Sequence, residues 1–255
     1  MHQIANIMIR RTPLGRLLAS AAVATASVAW LAGPLSAQSA PLGAVERKAT
    51  VAVLEFDNAA MVKRDEFAAM TVGVQVMLTN ALATNSQVQV VERQKIQDIL
   101  AEQNLATAGR IEPATAAKIG KIIGARYVLL GAFVVDPSMT MRLVVRAVNT
   151  ETSALEYTEQ VEGKGDKIFK LVDELAGKLN GGLKLPGSRD GSKSKELGGD
   201  GPNQFEAMKA MSAARRLEEQ GDVKGAAVMY QKSLALNNQV GEVKTRLALL
   251  ETKKR

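Results

Sequence analysis

Two acids, Glu55 and Asp57, stand at the end of the fragment VAVLEFDN, residues 51–58, in a chain with no cysteine and a single histidine, His2. The carboxyl end of a strand is where α/β folds place ligands, and a carboxylate pair is a starting point for general acid–base work. This pair has no partner base, third carboxylate or metal-binding set near it in the sequence. The absence of cysteine removes thiol catalysis and zinc–thiolate sites, and a lone amino-terminal histidine supplies neither a serine–histidine triad nor a histidine-ligated metal. Gly120, Gly124 and Gly131 match neither the phosphate-cradling P-loop nor the dinucleotide fingerprint, so close packing is their expected use. The composition therefore predicts a non-enzyme, without catalytic residues, cofactor or metal.

The remaining candidates are suited to recognition. Glu92 and Arg93 sit at a strand–helix join in VVERQKIQDILAEQNL, residues 90–105, where their side chains bridge neighbouring subunits or cap local backbone groups. Asn58 opens NAAMVKRD, residues 58–65, in which Met61 and Val62 stand beside Lys63 and Arg64. Such a loop offers an apolar anchor inside a charged rim; the alternative is that its apolar residues fold back. Tyr230, in a helical stretch near the carboxyl terminus, is the last interaction candidate.

The elements that position these residues follow from periodicity. Val51, Val53 and Leu54 make a strand, and Asp57–Asn58 is expected as a turn. From Asp65 to Leu82, Phe67, Met70, Val74, Met77 and Leu78 share one helical face. Val88, Val90 and Val91 form a second strand, followed by a helix with an apolar stripe of Ile96, Ile99, Leu100 and Leu105, ended by Gly109. Glu112-Pro113 starts a short helix carrying Ala116, Ala117, Ile119 and Ile122, closed by Gly124. RYVLLGAFVV, residues 126–135, is apolar on both faces, as a covered central strand requires. Strands at 139–149 and 154–163 follow, the second with a wet face or edge, then a helix over 167–179. The order β-α-β-α-α-β-β-β-α predicts an α/β sandwich with a mixed sheet.

Composition changes at residue 181. Residues 181–202 hold seven glycines and two prolines and read as a flexible linker. Beyond it, residues 203–255 read as a small all-α helical domain. LEEQGDVKGAAVMYQKSLALN, residues 217–237, is similar to a tetratricopeptide unit or is an ordinary helical hairpin. At the other end, Arg10, Arg11 and Arg16 precede an apolar run over 17–33 and the sequence PLSA, the layout of a signal peptide cut after Ala37; a retained anchor is the alternative. The +7 charge divides unevenly: 15 basic and 17 acidic residues over 41–177, 15 and 9 over 178–255, and three basic residues before them. The near-neutral sheet region and the lack of aromatics interleaved with the basic tail argue against nucleic acid.

The blocks VAVLEFDN, VVERQKIQDILAEQNLATAG (90–109) and AAKIGKIIGARYVLLGAF (116–133) together resemble the CsgG/HfaB family of curli and holdfast secretion proteins, over residues 49–179. The resemblance implies a periplasmic CsgG-like domain, at or near the outer membrane, that forms homo-oligomers or rings and docks to envelope or secretion proteins. Some members are outer-membrane pores with a lipidated cysteine, long hairpins and an aromatic constriction loop. This sequence has no cysteine, and residues 58–65 have no aromatic. The resulting expectation is a noncatalytic role in assembly or secretion of a cell-surface structure. The alternative is a regulatory binding module docking onto an envelope enzyme such as a cell-wall synthase.

Overall fold

The computed structural model describes residues 48–104, 111–185 and 203–252. The expected signal peptide, Leu105, Gly109 and most of the expected linker lie outside them. Strands β1 (Ala49–Val53), β2 (Asp57–Asn58), β3 (Val88–Val90), β4 (Tyr127–Val135), β5 (Thr140–Asn149) and β6 (Leu155–Lys164) form one open mixed sheet. Its order is β3-β1-β4-β5-β6. β1 runs parallel to both β3 and β4, and β4, β5 and β6 are antiparallel. Asp57 and Asn58 are strand rather than turn: β4 outlasts β1, and the chain rejoins it in parallel at Ala132 and Phe133.

Helices α1 (Arg64–Ala68) and α2 (Met70–Ala83) replace the single helix expected there. They are followed by α3 (Arg93–Glu102), α4 (Pro113–Ile123) and α5 (Ile168–Gly182). Alternation along the central strands feeds two cores. On one face Val51, Val53, Leu129, Phe133 and Leu143 meet α2 and α5. On the other, Ala52, Leu54, Val128 and Leu130 meet Ile96 and Leu100 of α3 and Ile119 and Ile123 of α4. Ile122, expected on the inner face of α4, is 51% exposed; the helix turns Ile123 inward instead. Gly124 closes α4 at φ 73°, the left-handed geometry glycine adopts without a Cβ penalty. Gly131 and Gly120 permit close approach: a Cβ would lie 2.5 Å from the Phe56 ring and 2.2 Å from Thr150 Cγ2, respectively.

Helices α3 and α4 cover the β3-β1-β4 half of the sheet and reach β5 near Val148, so the sandwich is incomplete. In β6 only Val161 is buried, which makes it the edge strand its mixed composition suggested.

Three further helices, α6 (Gln204–Glu219), α7 (Val223–Leu236) and α8 (Gly241–Thr252), form the helical region. They share one compact unit with the sheet. Met208, Met211 and Ala214 of α6 are buried in the same core as α2. Helix α6 thus shares its core with the sheet's helices, and the tetratricopeptide-like expectation is corrected. A solenoid unit buries its face on neighbouring units, whereas the α6–α7 hairpin uses α2. That docking explains why α2 is buried almost all round, from Met70 through Leu78, where its sequence suggested one inner face. The expected linker also starts late, since α5 runs to Gly182 and Leu183 and Leu185 are buried.

Candidate functional site

The connection leaving β1 passes to α2 on one face of the sheet, and that leaving β3 passes to α3 on the other. The carboxyl ends of these neighbouring parallel strands thus form a topological switch point, the crevice where open α/β folds bind ligands. Glu55 stands at one lip and Arg93, the first residue of α3, at the other.

The chain fills this crevice itself. Arg93 is 7% exposed and spends its guanidinium within the fold. Its Nε and Nη2 donate to the two carboxylate oxygens of Glu219 on α6, at 2.6 and 3.2 Å. Nη2 also donates to Glu55 Oε2 at 3.2 Å, and Nη1 donates to Gln75 Oε1. Gln75, buried in α2, passes its own amide to the Val53 carbonyl at 2.6 Å. From α6, Arg216 Nη2 donates to Glu55 Oε1 at 2.5 Å and to Thr71 Oγ1 at 2.8 Å, and the Thr71 hydroxyl donates to Glu55 Oε1 at 2.5 Å. Partial burial acts to raise the Glu55 pKa. The Thr71 hydrogen bond and the charges of Arg216 and Arg93 outweigh it, so the carboxyl titrates below its ordinary range. Glu55 is held ionised and fully partnered, which suits a structural anion and opposes a role as proton donor.

At the strand–helix join, Arg93 bridges elements of its own chain. Glu92 is exposed and makes no side-chain cap on α3. Tyr230 is fully buried, its hydroxyl donating to Glu218 Oε2 at 2.8 Å. Burial pushes its phenol pKa up, and Glu218 adds to the shift against the lowering charge of Arg215. It is a core residue of the α6–α7 hairpin and presents no surface.

The loop after β2 is different. Asn58 closes it, donating from Nδ2 to the Arg64 carbonyl at 2.7 Å and accepting from the Ala60 amide at 3.0 Å. The Ala59 and Met61 amides bond to the carbonyls of Phe133 and Val135, each at 2.9 Å, which ties the loop to β4. Lys63 takes a left-handed conformation (φ 49°) and pairs loosely with Glu66 at 3.6 Å. Val62 is half-buried and Arg64 exposed, while Met61 is 70% exposed. The apolar tip does not fold back; a backbone held at both ends presents it to solvent. Among the described residues no group of three His, Cys, Asp or Glu side chains is placed to hold a metal ion.

Sequence reasoning selected Glu55, Arg93 and the loop but missed Gln75, Thr71, Arg216 and Glu219. The only signal for Gln75 was a polar residue inside an otherwise apolar helix.

The family model described as curli production assembly/transport component CsgG matches residues 31–135, fewer than half of the 255. It stops at the end of β4, short of the span to Leu179 that the sequence suggested. No curated protein matches the sequence. Among solved structures, the LpoB C-terminal domain from Salmonella enterica is 18% identical, with 48% of this chain and 87% of that one covered and a TM-score of 0.38. The corresponding Escherichia coli domain is 18% identical over 48% and 86%, with a TM-score of 0.37. Lipoprotein GNA1162 from Neisseria meningitidis is 15% identical over 46% and 80%, also at 0.37. The expectation of a curli- or holdfast-type secretion component is thereby corrected: the solved structures matched here are LpoB domains and lipoprotein GNA1162. What this chain has in its own right is an open mixed α/β sheet with a docked helical region, matched in part by the CsgG family model.

Proposed function

We propose that the chain is a noncatalytic periplasmic module that docks onto an envelope enzyme, such as a cell-wall synthase, and alters its activity. One observation carries this reading. The crevice where an α/β enzyme would hold its substrate is filled by the chain's own Arg216 and Glu219, while Met61 stands exposed in a pinned loop at the same end of the sheet. A pre-ordered apolar side chain beside Lys63 and Arg64 loses little conformational freedom on binding and fits a small apolar pocket with a charged surround. The module works beside the outer membrane, and self-association belongs to the same proposal.

Surface plasmon resonance between the purified chain and a purified cell-wall synthase of the same organism tests the reading. Saturable binding is expected, weakened about tenfold or more by Met61→Asp, as for a central interface anchor. Absence of binding to the synthase, or binding indifferent to Met61, contradicts it.

A further inference from the structure

Docking α6 into the crevice leaves a cleft of about 560 Å³ beside it, between the carboxyl end of β3, α2 and α8. This volume lies in the range of small-ligand sites, roughly 300–1,000 Å³. The cleft is lined by charges of both signs that the fold leaves incompletely matched. On the positive side, Arg215 and Arg246 share a single carboxylate: Arg215 Nη1 and Arg246 Nη2 reach Glu218 at 3.4 and 2.7 Å, and Tyr230 takes a further share of it. The Nε of each arginine is buried with no hydrogen-bond partner. Glu218 is the carboxylate that both guanidiniums contact, with Glu242 also within electrostatic reach of Arg246, and a buried donor without an acceptor is costly. On the negative side, the Glu92 side chain has no ion pair or hydrogen bond among the described residues, and the Glu242 carboxylate accepts one bond, from Asn80 Nδ2 at 3.1 Å. Val76 and Leu249 add apolar wall, with Leu249 48% exposed.

We propose that this cleft binds a short zwitterionic peptide, its carboxylate held by Arg215 and Arg246, its ammonium by Glu92 and Glu242, and an apolar side chain against Val76 and Leu249. A purely anionic ligand would meet the two glutamates, and a cation the two arginines. A molecule carrying both charges satisfies both sets. Arg93 and Glu219 also border the cleft, but their charges are spent on each other. The site is separate from the Met61 loop and needs no partner enzyme.

The test is a ¹H–¹⁵N NMR titration of the full chain with L-alanyl-L-leucine, run in parallel with its N-acetylated and carboxamide forms. The proposal expects saturable shifts of the Thr79, Asn80, Glu92 and Glu242 amides with the free dipeptide. Each charge-blocked form should bind about tenfold more weakly, the loss expected for one charge-assisted hydrogen-bonding group. Glu92→Gln, at an exposed position that leaves folding intact, should weaken the free dipeptide similarly while leaving the carboxamide form's residual binding to depend on Glu242. Arg246→Gln should reduce binding of the free dipeptide, and an unchanged amide spectrum away from the cleft shows that this variant is folded. Lack of saturable shifts, or equal binding of all three forms, would overturn the proposal. Because no synthase is present, this outcome is independent of whether the docking reading stands.

Discussion

Glu55 and Met61 are six residues apart at one end of the sheet, and their surroundings are opposite. Around Glu55 every polar group is spoken for: Arg93, Arg216, Thr71 and Gln75 form a closed network reaching from β1 through α2 and α3 to α6. Around Met61 the backbone is tied to β4 but the side chain touches little. The network is stability without a free valence, and the loop is order without burial. The same strand ends thus supply the joint that holds the helical region on the sheet and, in the proposed function, the surface offered to a partner.

The sharpest way to break this contrast is Arg93→Met. It leaves Glu55, Glu219 and Gln75 without their shared donor and should lower the unfolding free energy by about 3 kcal/mol, the scale for removing one partner of a buried ion pair. Chemical denaturation measures it, and a loss below about 0.5 kcal/mol, the surface level, would mean that the network is incidental. Next comes Gly73→Ala at the α2–α6 contact, where the new Cβ would lie 2.2 Å from Ser212 Oγ and 2.8 Å from Met208 Cγ. Overpacking of this kind costs about 1–3 kcal/mol. Adding Ser212→Ala should return part of it in a double-mutant cycle, unless α6 is not seated on α2.

A smaller effect comes from Glu55 and depends on pH. Its folded pKa lies below the ordinary 4.5, so on acidification the unfolded chain takes up the proton first. The stabilisation is complete above that ordinary value and disappears as pH falls through the folded one. Urea midpoints should therefore fall more steeply on the acid side for the native chain than for Glu55→Gln. Parallel acid limbs would show that Glu55 is not held by the network. The smallest effect belongs to the loop: Met61→Ser should change stability by less than about 0.5 kcal/mol, measured by thermal melting. A larger loss would place Met61 in the core and remove it as an anchor.

Much of the sheet was legible because each strand's own alternation declares its faces. VAVLEF indicated a strand, YVLLGAFVV a central one and the mixed residues of β6 an edge. The loop was legible because its signal is local, two apolar residues among charges between two elements. The network was not, because Glu55, Gln75, Arg93 and Glu219 meet only after the chain has folded back over 126 positions from Arg93 to Glu219. The docking of α6 was hidden for a related reason. A glycine-rich stretch suggests independence, whereas the pairing partner of α6 is Gly73, a missing side chain inside another helix. Ile122 shows the limit of periodicity within one helix: adjacent isoleucines both fit the pattern, and the covering elements select Ile123.

The most direct test of the central claim is the glycan-polymerising turnover of a purified cell-wall synthase from the same organism, measured alone, with the native chain and with the Met61→Asp chain. The account predicts a saturable change in turnover with the native chain, shifted to higher concentration by Met61→Asp while the melting temperature of the chain stays the same. Unchanged turnover at saturating native chain would contradict it, as would a response that Met61→Asp leaves untouched.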